Sequence, residues 1–185
     1  MGLNKRKRGR KRLPVRVKQP LLVPLEPNDT WSMDFMHDTL MNGRKFRVLN
    51  IIDDFNREAL RIEPYFSIGS NLVIKILERL VLERGKPIAI RVDNGPEFIS
   101  SALSEWCLDK GIKLIYIQPG KPMQNGYIER FNRSYRQDVL DANLFESIHH
   151  ARMFSDEFLE DYNQHRPHES LGDLSPVNYR LKNCG

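Results

Sequence analysis

The hydrophobic spacing of this chain changes period several times, and that change limits the possible folds more than any other feature. Trp31, Met33 and Phe35 alternate with Ser32 and Asp34, the two-residue period of a half-buried strand. Phe46 to Ile52 follows as a second strand after an Asn42-Gly43 turn signal, and Arg57 to Tyr65 is expected as a third after the turn Asp53-Asp54-Phe55-Asn56. The period then lengthens: Ile68, Leu72, Ile76 and Leu80 recur every four residues, and Gly85 with Pro87 supplies a helix stop. A strand from Ile88 to Val92, a helix through Ala102, Leu103, Trp106 and Cys107, and a strand from Ile112 to Ile117 come next. The loop Gln118-Pro119-Gly120-Lys121-Pro122 then leads into a long helix with an apolar stripe of Ile128, Phe131, Tyr135 and Val139. One more helix is expected from about Ser147 to Asn163, and an irregular tail from Arg166 to Cys184. The order predicts an α/β fold, a five-stranded mixed sheet flanked by helices.

Charge divides the chain differently. Residues 1 to 20 contain nine basic side chains (Lys5, Arg6, Lys7, Arg8, Arg10, Lys11, Arg12, Arg16 and Lys18) and no acid. With the other 20 Lys and Arg facing all 24 Asp and Glu, the remainder carries a net charge of −4 although the whole chain is +5. The basicity therefore belongs to an arm, which would gain affinity for a polyanion by releasing counterions from each phosphate it neutralises. Nucleic acid is the expected partner; a solubilising tail is the alternative. Pro14, Pro20, Pro24 and Pro27 extend the arm as a linker, giving an expected division into an arm (1–28), a core (29–142) and a C-terminal helix and tail packed on that core (143–185).

No stretch approaches the roughly 18 consecutive apolar residues of a membrane span, and no apolar segment follows the basic residues as in a secretory signal. The expected compartment is the cytoplasm, on the nucleoid. Cys107 and Cys184 make neither a disulfide framework nor a metal finger.

Three carboxylates stand at informative places. Asp34 interrupts an apolar strand, where Asp is unfavourable, Asp93 follows the carboxyl end of a strand, where open α/β sheets place ligands, and Glu129 borders the apolar stripe of the long helix. Helical geometry places Arg133 and Arg136 near Glu129, with Asn125 and Asn132 close by. Carboxylate oxygens completed by substrate phosphate suit Mg²⁺, and two ions about 3.5 to 4 Å apart would serve an in-line displacement at phosphorus. Turn formers, caps or solvated charges are the competing explanation. Asp53 and Asp54 more often satisfy backbone donors in such a turn than bind metal. His37 with Asp38 could suggest a transition-metal site but reads as a surface pair, His149 and His150 lack partners at fixed spacing, and His165 and His168 belong to a tail whose local chemistry favours a structural role.

The segments Trp31-Ser-Met-Asp34-Phe, Arg91-Val-Asp93-Asn-Gly-Pro-Glu-Phe98 and Gln124-Asn-Gly-Tyr-Ile-Glu129-Arg-Phe-Asn132 closely resemble the catalytic core of insertion-sequence transposases. The resemblance continues through Gly43-Arg44-Lys45-Phe46, Ile51-Ile52-Asp53-Asp54-Phe55 and the Pro/Gly loop to Tyr162-Asn163 and Arg166-Pro167-His168. Between Asp93 and Glu129 lie 35 residues, the interval that names the DDE class of transposases and retroviral integrases.

The resemblance implies a ribonuclease H-like fold and a polynucleotidyl transferase. Water would first cleave one strand at the end of a mobile element, and the freed 3′ hydroxyl would then attack a second phosphodiester in DNA integration. Asp34, Asp93 and Glu129 would hold Mg²⁺ or Mn²⁺, and two ions are expected. Lys121, Gln124 and Asn125 would touch DNA near the scissile phosphate, while Asn94 and Glu97 read as a turn former and a supporting acid. Implied partners are DNA element ends and target, further copies of the chain, and a helix-turn-helix protein that reads the ends. That recognition segment is not seen before the arm, so a truncated or partner-dependent product is expected. A non-catalytic DNA-binding fragment and a stand-alone nuclease of the same fold remain the other readings.

Overall fold

The computed structural model describes residues 24–118 and 122–184; the basic arm and Lys121 lie outside them. Among these residues the strands are β1 (Thr30–Thr39), β2 (Lys45–Asp53), β3 (Ala59–Tyr65), β4 (Ala89–Val92) and β5 (Lys113–Tyr116). The α-helices are α1 (Ser70–Arg84), α2 (Ser101–Lys110), α3 (Gly126–Tyr135), α4 (Ile148–Gln164) and α5 (Pro176–Cys184). The sheet order is β3-β2-β1-β4-β5. β1 is central, antiparallel to β2 from Trp31↔Asp53 to Thr39↔Lys45, and parallel to β4 from Thr30↔Ala89 to Ser32↔Arg91. Gly43, at φ 81°, closes the β1–β2 hairpin in a conformation that other residues rarely adopt.

Successive side chains of a strand face opposite sides, so the sheet carries two cores. Trp31, Met33, Leu49 and Ile51 pack with Val73, Leu77 and Leu80 of α1 and Leu103 of α2. Met36, Phe46, Val48 and Ile52 pack on the other face with Ile128, Phe131 and Tyr135 of α3 and Phe158 and Tyr162 of α4. Each fully buried side chain of this size is worth about 1.5 to 3 kcal/mol relative to exposure. Asp34 shares the parity of Met36 and therefore faces α3.

Three expectations about the elements change. β3 begins at Ala59, because Arg57 has φ 63° and belongs to the turn. The expected long helix is α3 followed by a π-helical turn, Arg136–Leu140, closed by a hydrogen bond of 2.8 Å from Asp141 N–H to Arg136 O. The extra residue in a π turn rotates the side chains beyond it about the helix axis, which lets both Val139 and Leu140 be buried. The tail is not irregular throughout: α5 starts at Pro176, whose fixed φ suits a first helical position, and Ser175 Oγ accepts a 3.4 Å hydrogen bond from Asn178 N–H.

Candidate active site

β1 and β4 run side by side only as far as Ser32↔Arg91. Asp34 and Asp93 each lie two residues beyond that last paired couple, where the two strands part. α3 crosses this point on the Asp34 face, and its first turn carries Glu129. α3 has no side-chain N-cap, so packing holds it: Phe131 meets Tyr162 edge-on at 5.0 Å, and Tyr135 meets Phe158 at 5.4 Å. Such aromatic pairs add about 0.5 to 1.5 kcal/mol each beyond their buried area.

Asp34 tolerates its place in a strand because both oxygens are bonded. Oδ1 accepts from Phe35 N–H at 2.8 Å and Oδ2 accepts from Asn132 Nδ2 at 2.8 Å. Asn132 Oδ1 in turn accepts from Asn50 Nδ2 at 2.7 Å, on the β2 residue that pairs with Asp34. Burial foremost, with the charges of Asp93 and Glu129, raises the Asp34 carboxyl from 3.8 to about 6 against the two hydrogen bonds that lower it. The three carboxylates thus share one electrostatic environment.

Asp93 Oδ1 accepts from Gly95 N–H at 2.8 Å in the turn after β4, and Asn94 Nδ2 ties that turn to Ile117 O at 2.9 Å. A Cβ on Gly95 would lie 2.9 Å from Asp93 Oδ1, a separation real side chains essentially never show. Glu97 pairs with Arg47, whose guanidinium sits 4.3 Å over the Phe35 ring, so the loop is fastened to β2 as well. Glu129 is exposed. Among the described residues no three His, Cys, Asp or Glu side chains gather closely enough to grip a metal ion. The donor set fits a divalent cation by its chemistry, since carboxylate oxygens are the hard ligands Mg²⁺ and Mn²⁺ prefer and their mutual repulsion is what a cation relieves.

The other described candidates lie on the same stretch of chain as Glu129. Gln124 Oε1 accepts from Gln118 N–H at 3.0 Å, bracing the two ends of the loop. Asn125 is buried, and its Oδ1 has no partner among the described residues. Arg133 is exposed. Arg136 is engaged within the protein, donating to His37 O at 2.8 Å and lying 3.8 Å from Asp38 and 3.4 Å from Asp141.

Asp53 and Asp54 sit apart from the site. Asp53 accepts from Asn28 N–H and Phe55 N–H, and Asp54 pairs with Arg91 at 2.5 Å. His168 packs edge-on against Tyr162 at 4.8 Å. Sequence reasoning missed Asn50 and Gly95. A lone Asn inside the apolar run Phe46 to Ile52 was the available signal for the first, whereas a bare Asn-Gly pair reads only as a turn.

The fold at this site is that of retroviral integrase catalytic cores, the ribonuclease H-like class. The HTLV-2 integrase catalytic core domain, solved in complex with magnesium in a dimeric form, matches with a TM-score of 0.62 at 21% identity, covering 84% of this chain and 98% of that one. Two family models described as integrase core domain match residues 24–122 and 110–176. The chain belongs to the integrase core domain family. It is 42% identical over 184 residues to an uncharacterized 39.2 kDa protein of insertion element IS476 from Xanthomonas euvesicatoria, covering 97% of this chain and 53% of that protein. It is also 42% identical over 182 residues to an uncharacterized 31.7 kDa protein of insertion element IS407 from Burkholderia multivorans, covering 98% of this chain and 65% of that one. The chain thus spans between half and two thirds of the length of these relatives.

Proposed function

We propose that this chain is the catalytic core of an insertion-sequence transposase, a polynucleotidyl transferase that cleaves DNA at element ends and joins the freed 3′ hydroxyl to a second phosphodiester. The observation that carries the proposal is Asp34, a carboxylate held at the divergence of β1 and β4 by a helix-borne amide and raised to about 6 with Asp93 and Glu129 as its electrostatic neighbours. Burial raises Asp53 and Asp54 to about 6 as well, but Asp54 pairs with Arg91 and Asp53 is tied into its turn by two backbone N–H groups. Asp34 stands instead where two strands part, with Asp93 and Glu129 as acidic neighbours, which suits a site completed by a cation and a phosphate.

Asp34, Asp93 and Glu129 would hold Mg²⁺ or Mn²⁺, two ions by expectation. When bound, a divalent cation supplies positive charge at the scissile phosphodiester and acidifies the attacking hydroxyl. The chain's own residues prepare for that. Phe35 N–H and Asn132 fix both oxygens of Asp34, Gly95 N–H orients Asp93, and Glu129 stands in the first turn of α3, from which it would complete the set. Gln124, Asn125 and Arg133 precede or follow Glu129 on the same segment and would border bound DNA, as would Lys121, which comes earlier in the sequence and lies outside the described residues. The arm, Lys5 to Arg12 foremost, would add affinity without reading sequence. Element ends and target DNA, further copies of the chain and an end-recognition partner complete the reading, which belongs in the cytoplasm on the nucleoid.

The test is a strand-transfer assay with Mn²⁺ and then Mg²⁺, using labelled DNA ending in a 3′ hydroxyl, a supercoiled plasmid target and Glu129→Gln as control. Joined product that disappears in the variant supports the reading. A DNA shift without joined product would reassign the chain as a binding fragment, and cleavage of RNA in a hybrid as a hydrolytic nuclease.

A further inference from the structure

We infer that the cleft at the tip of the β1–β2 hairpin is a second docking surface for the DNA sugar-phosphate backbone; the inference rests on the transposase reading and extends it beyond the carboxylates. The cleft has a volume of about 590 Å³ and is lined by His37, Asp38, Lys45, Phe46, Arg47 and Phe66. The Arg44 guanidinium lies 3.4 Å from the centre of the Phe66 ring, so a cation and an apolar face stand together. Lys45 and Arg44 are exposed and have no carboxylate partner among the described residues, whereas the acids nearby are already engaged. Asp38 lies 3.8 Å from Arg136, and Glu97 pairs with Arg47. The free charge at this tip is therefore positive, although the body beyond the arm is acidic in sum.

Position supports the same conclusion. One wall of the cleft is Arg47, which grips Glu97 and covers Phe35, and Phe35 stacks on Phe98 at 4.8 Å. The cleft wall is thus continuous with the loop that carries Asp93. From Asp34 to the level of Thr39 and Lys45 is five residues of strand, about 17 Å at roughly 3.3 Å per residue, or about five steps of duplex at 3.4 Å. A strand engaged at Asp34 would reach the hairpin tip within half a helical turn. Cations bordering an aromatic face match a backbone that alternates phosphate with sugar, and such contacts set register without reading sequence.

The full chain with the pair Arg44→Glu and Lys45→Glu would be compared with Lys75→Glu and Arg79→Glu, an equal charge change on the exposed side of α1, by fluorescence anisotropy on labelled duplex DNA across a salt series. The hairpin pair is expected to weaken binding at least tenfold more than the control pair and to reduce the salt slope by about one to two, at roughly 0.9 per phosphate contact. The milder Arg44→Gln and Lys45→Gln pair should show the same ranking at smaller size. Equal losses in hairpin and control pairs would overturn the inference. The catalytic reading is scored separately by wild-type strand joining: absent joining with a selective hairpin effect fells that reading and leaves the docking surface standing, and joining without a hairpin effect does the reverse.

Discussion

Asn132 donates a 2.8 Å hydrogen bond to Asp34 Oδ2 while its own carbonyl accepts one of 2.7 Å from Asn50 Nδ2, so an amide on α3 couples the central strand to its neighbour. Both asparagines are buried, and each group spent in this chain would be costly to strand. Asn132→Ala leaves Asp34 short of a donor and Asn50 short of an acceptor, for an expected loss of about 2 to 3 kcal/mol. Asn50→Ala should cost less, and the double variant less than the sum, because both remove the same bond. Urea unfolding of the four proteins measures this; strict additivity would show that the two contacts act independently.

Gly95 sets the place of Asp93. Its N–H holds Asp93 Oδ1 at 2.8 Å, and any Cβ there would press on the same oxygen from 2.9 Å. Gly95→Ala must push the carboxylate aside, since the neighbouring turn is pinned by Asn94 to Ile117 O. Strand joining is expected to fall by more than tenfold while the melting temperature changes little, because the turn is at the surface. A variant with wild-type joining rates would show that Asp93 need not sit where this turn puts it.

Metal affinity gives a readout that does not depend on turnover. If the three carboxylates hold Mn²⁺, saturating the ion at about 100 times its dissociation constant should stabilise the wild type by about 2.7 kcal/mol. Glu129→Gln and Asp34→Asn should lose most of that increment, and Asp53→Asn should keep it because Asp53 sits in the turn bonded to Asn28 and Phe55. Thermal melts with and without Mn²⁺ decide; equal shifts in all four proteins would place the ion elsewhere.

Much of this arrangement was legible from spacing. The alternation at Trp31, Met33 and Phe35 and the four-residue recurrence from Ile68 to Leu80 led to β1 and α1, since burial on one face writes its period into the sequence. Arg57 was not legible as a turn residue, because a positive φ in a non-glycine depends on its surroundings, here the Tyr127 ring 3.5 Å from its guanidinium. The π turn after Tyr135 leaves no mark in a stripe that still ends on an apolar residue. The site was legible as three acids at element ends, but the amide chain from Asn50 to Asp34 joins residues that are far apart in sequence, and only the fold reveals it.

A buried acid and a half-buried histidine should bend the pH profile in opposite directions. Burial raises Asp53 from 3.8 to about 6, against hydrogen bonds from Asn28 and Phe55 that lower it. The folded chain then holds this proton more tightly than the unfolded one, so its contribution is favourable at low pH and is lost as pH rises from about 4 through 6, by up to about 3 kcal/mol. Burial lowers His168 from 6.5 to about 4, helped by Arg166, Arg57 and Arg130, so its contribution is present above about 6.5 and lost as pH falls toward 4. His168 is half-buried, which reduces that contribution to about 1 to 2 kcal/mol. Urea midpoints measured from about pH 4 to 7 should show Asp53→Asn with a smaller fall with rising pH, the rest of the fall coming from Asp34 and Asp54, which burial also raises to about 6, and His168→Gln losing the rise. Parallel profiles for both variants and the wild type would contradict the assignment.

The C-terminal segment is fastened by one buried acid. Glu58 lies between Arg84 of α1 at 2.7 Å and Arg180 of α5 at 3.1 Å, while Asn56 donates both to Glu58 and to Pro176 O. Removing Glu58 leaves Arg84 and Arg180 unpaired and takes one of two acceptors from Asn56, and because both arginines keep solvent access Glu58→Ala is expected to cost about 2 to 3 kcal/mol. Arg180→Ala leaves the Arg84 pair and the contact of Tyr179 with Phe55 in place, so about 1 kcal/mol is expected. Limited proteolysis separates the two effects: Arg180→Ala should speed cleavage within 176–184 while the core resists, whereas Glu58→Ala should open the core along with the tail. Equal protection of the tail in wild type and Arg180→Ala would mean that α5 is held by Pro176 and Tyr179 rather than by its charge.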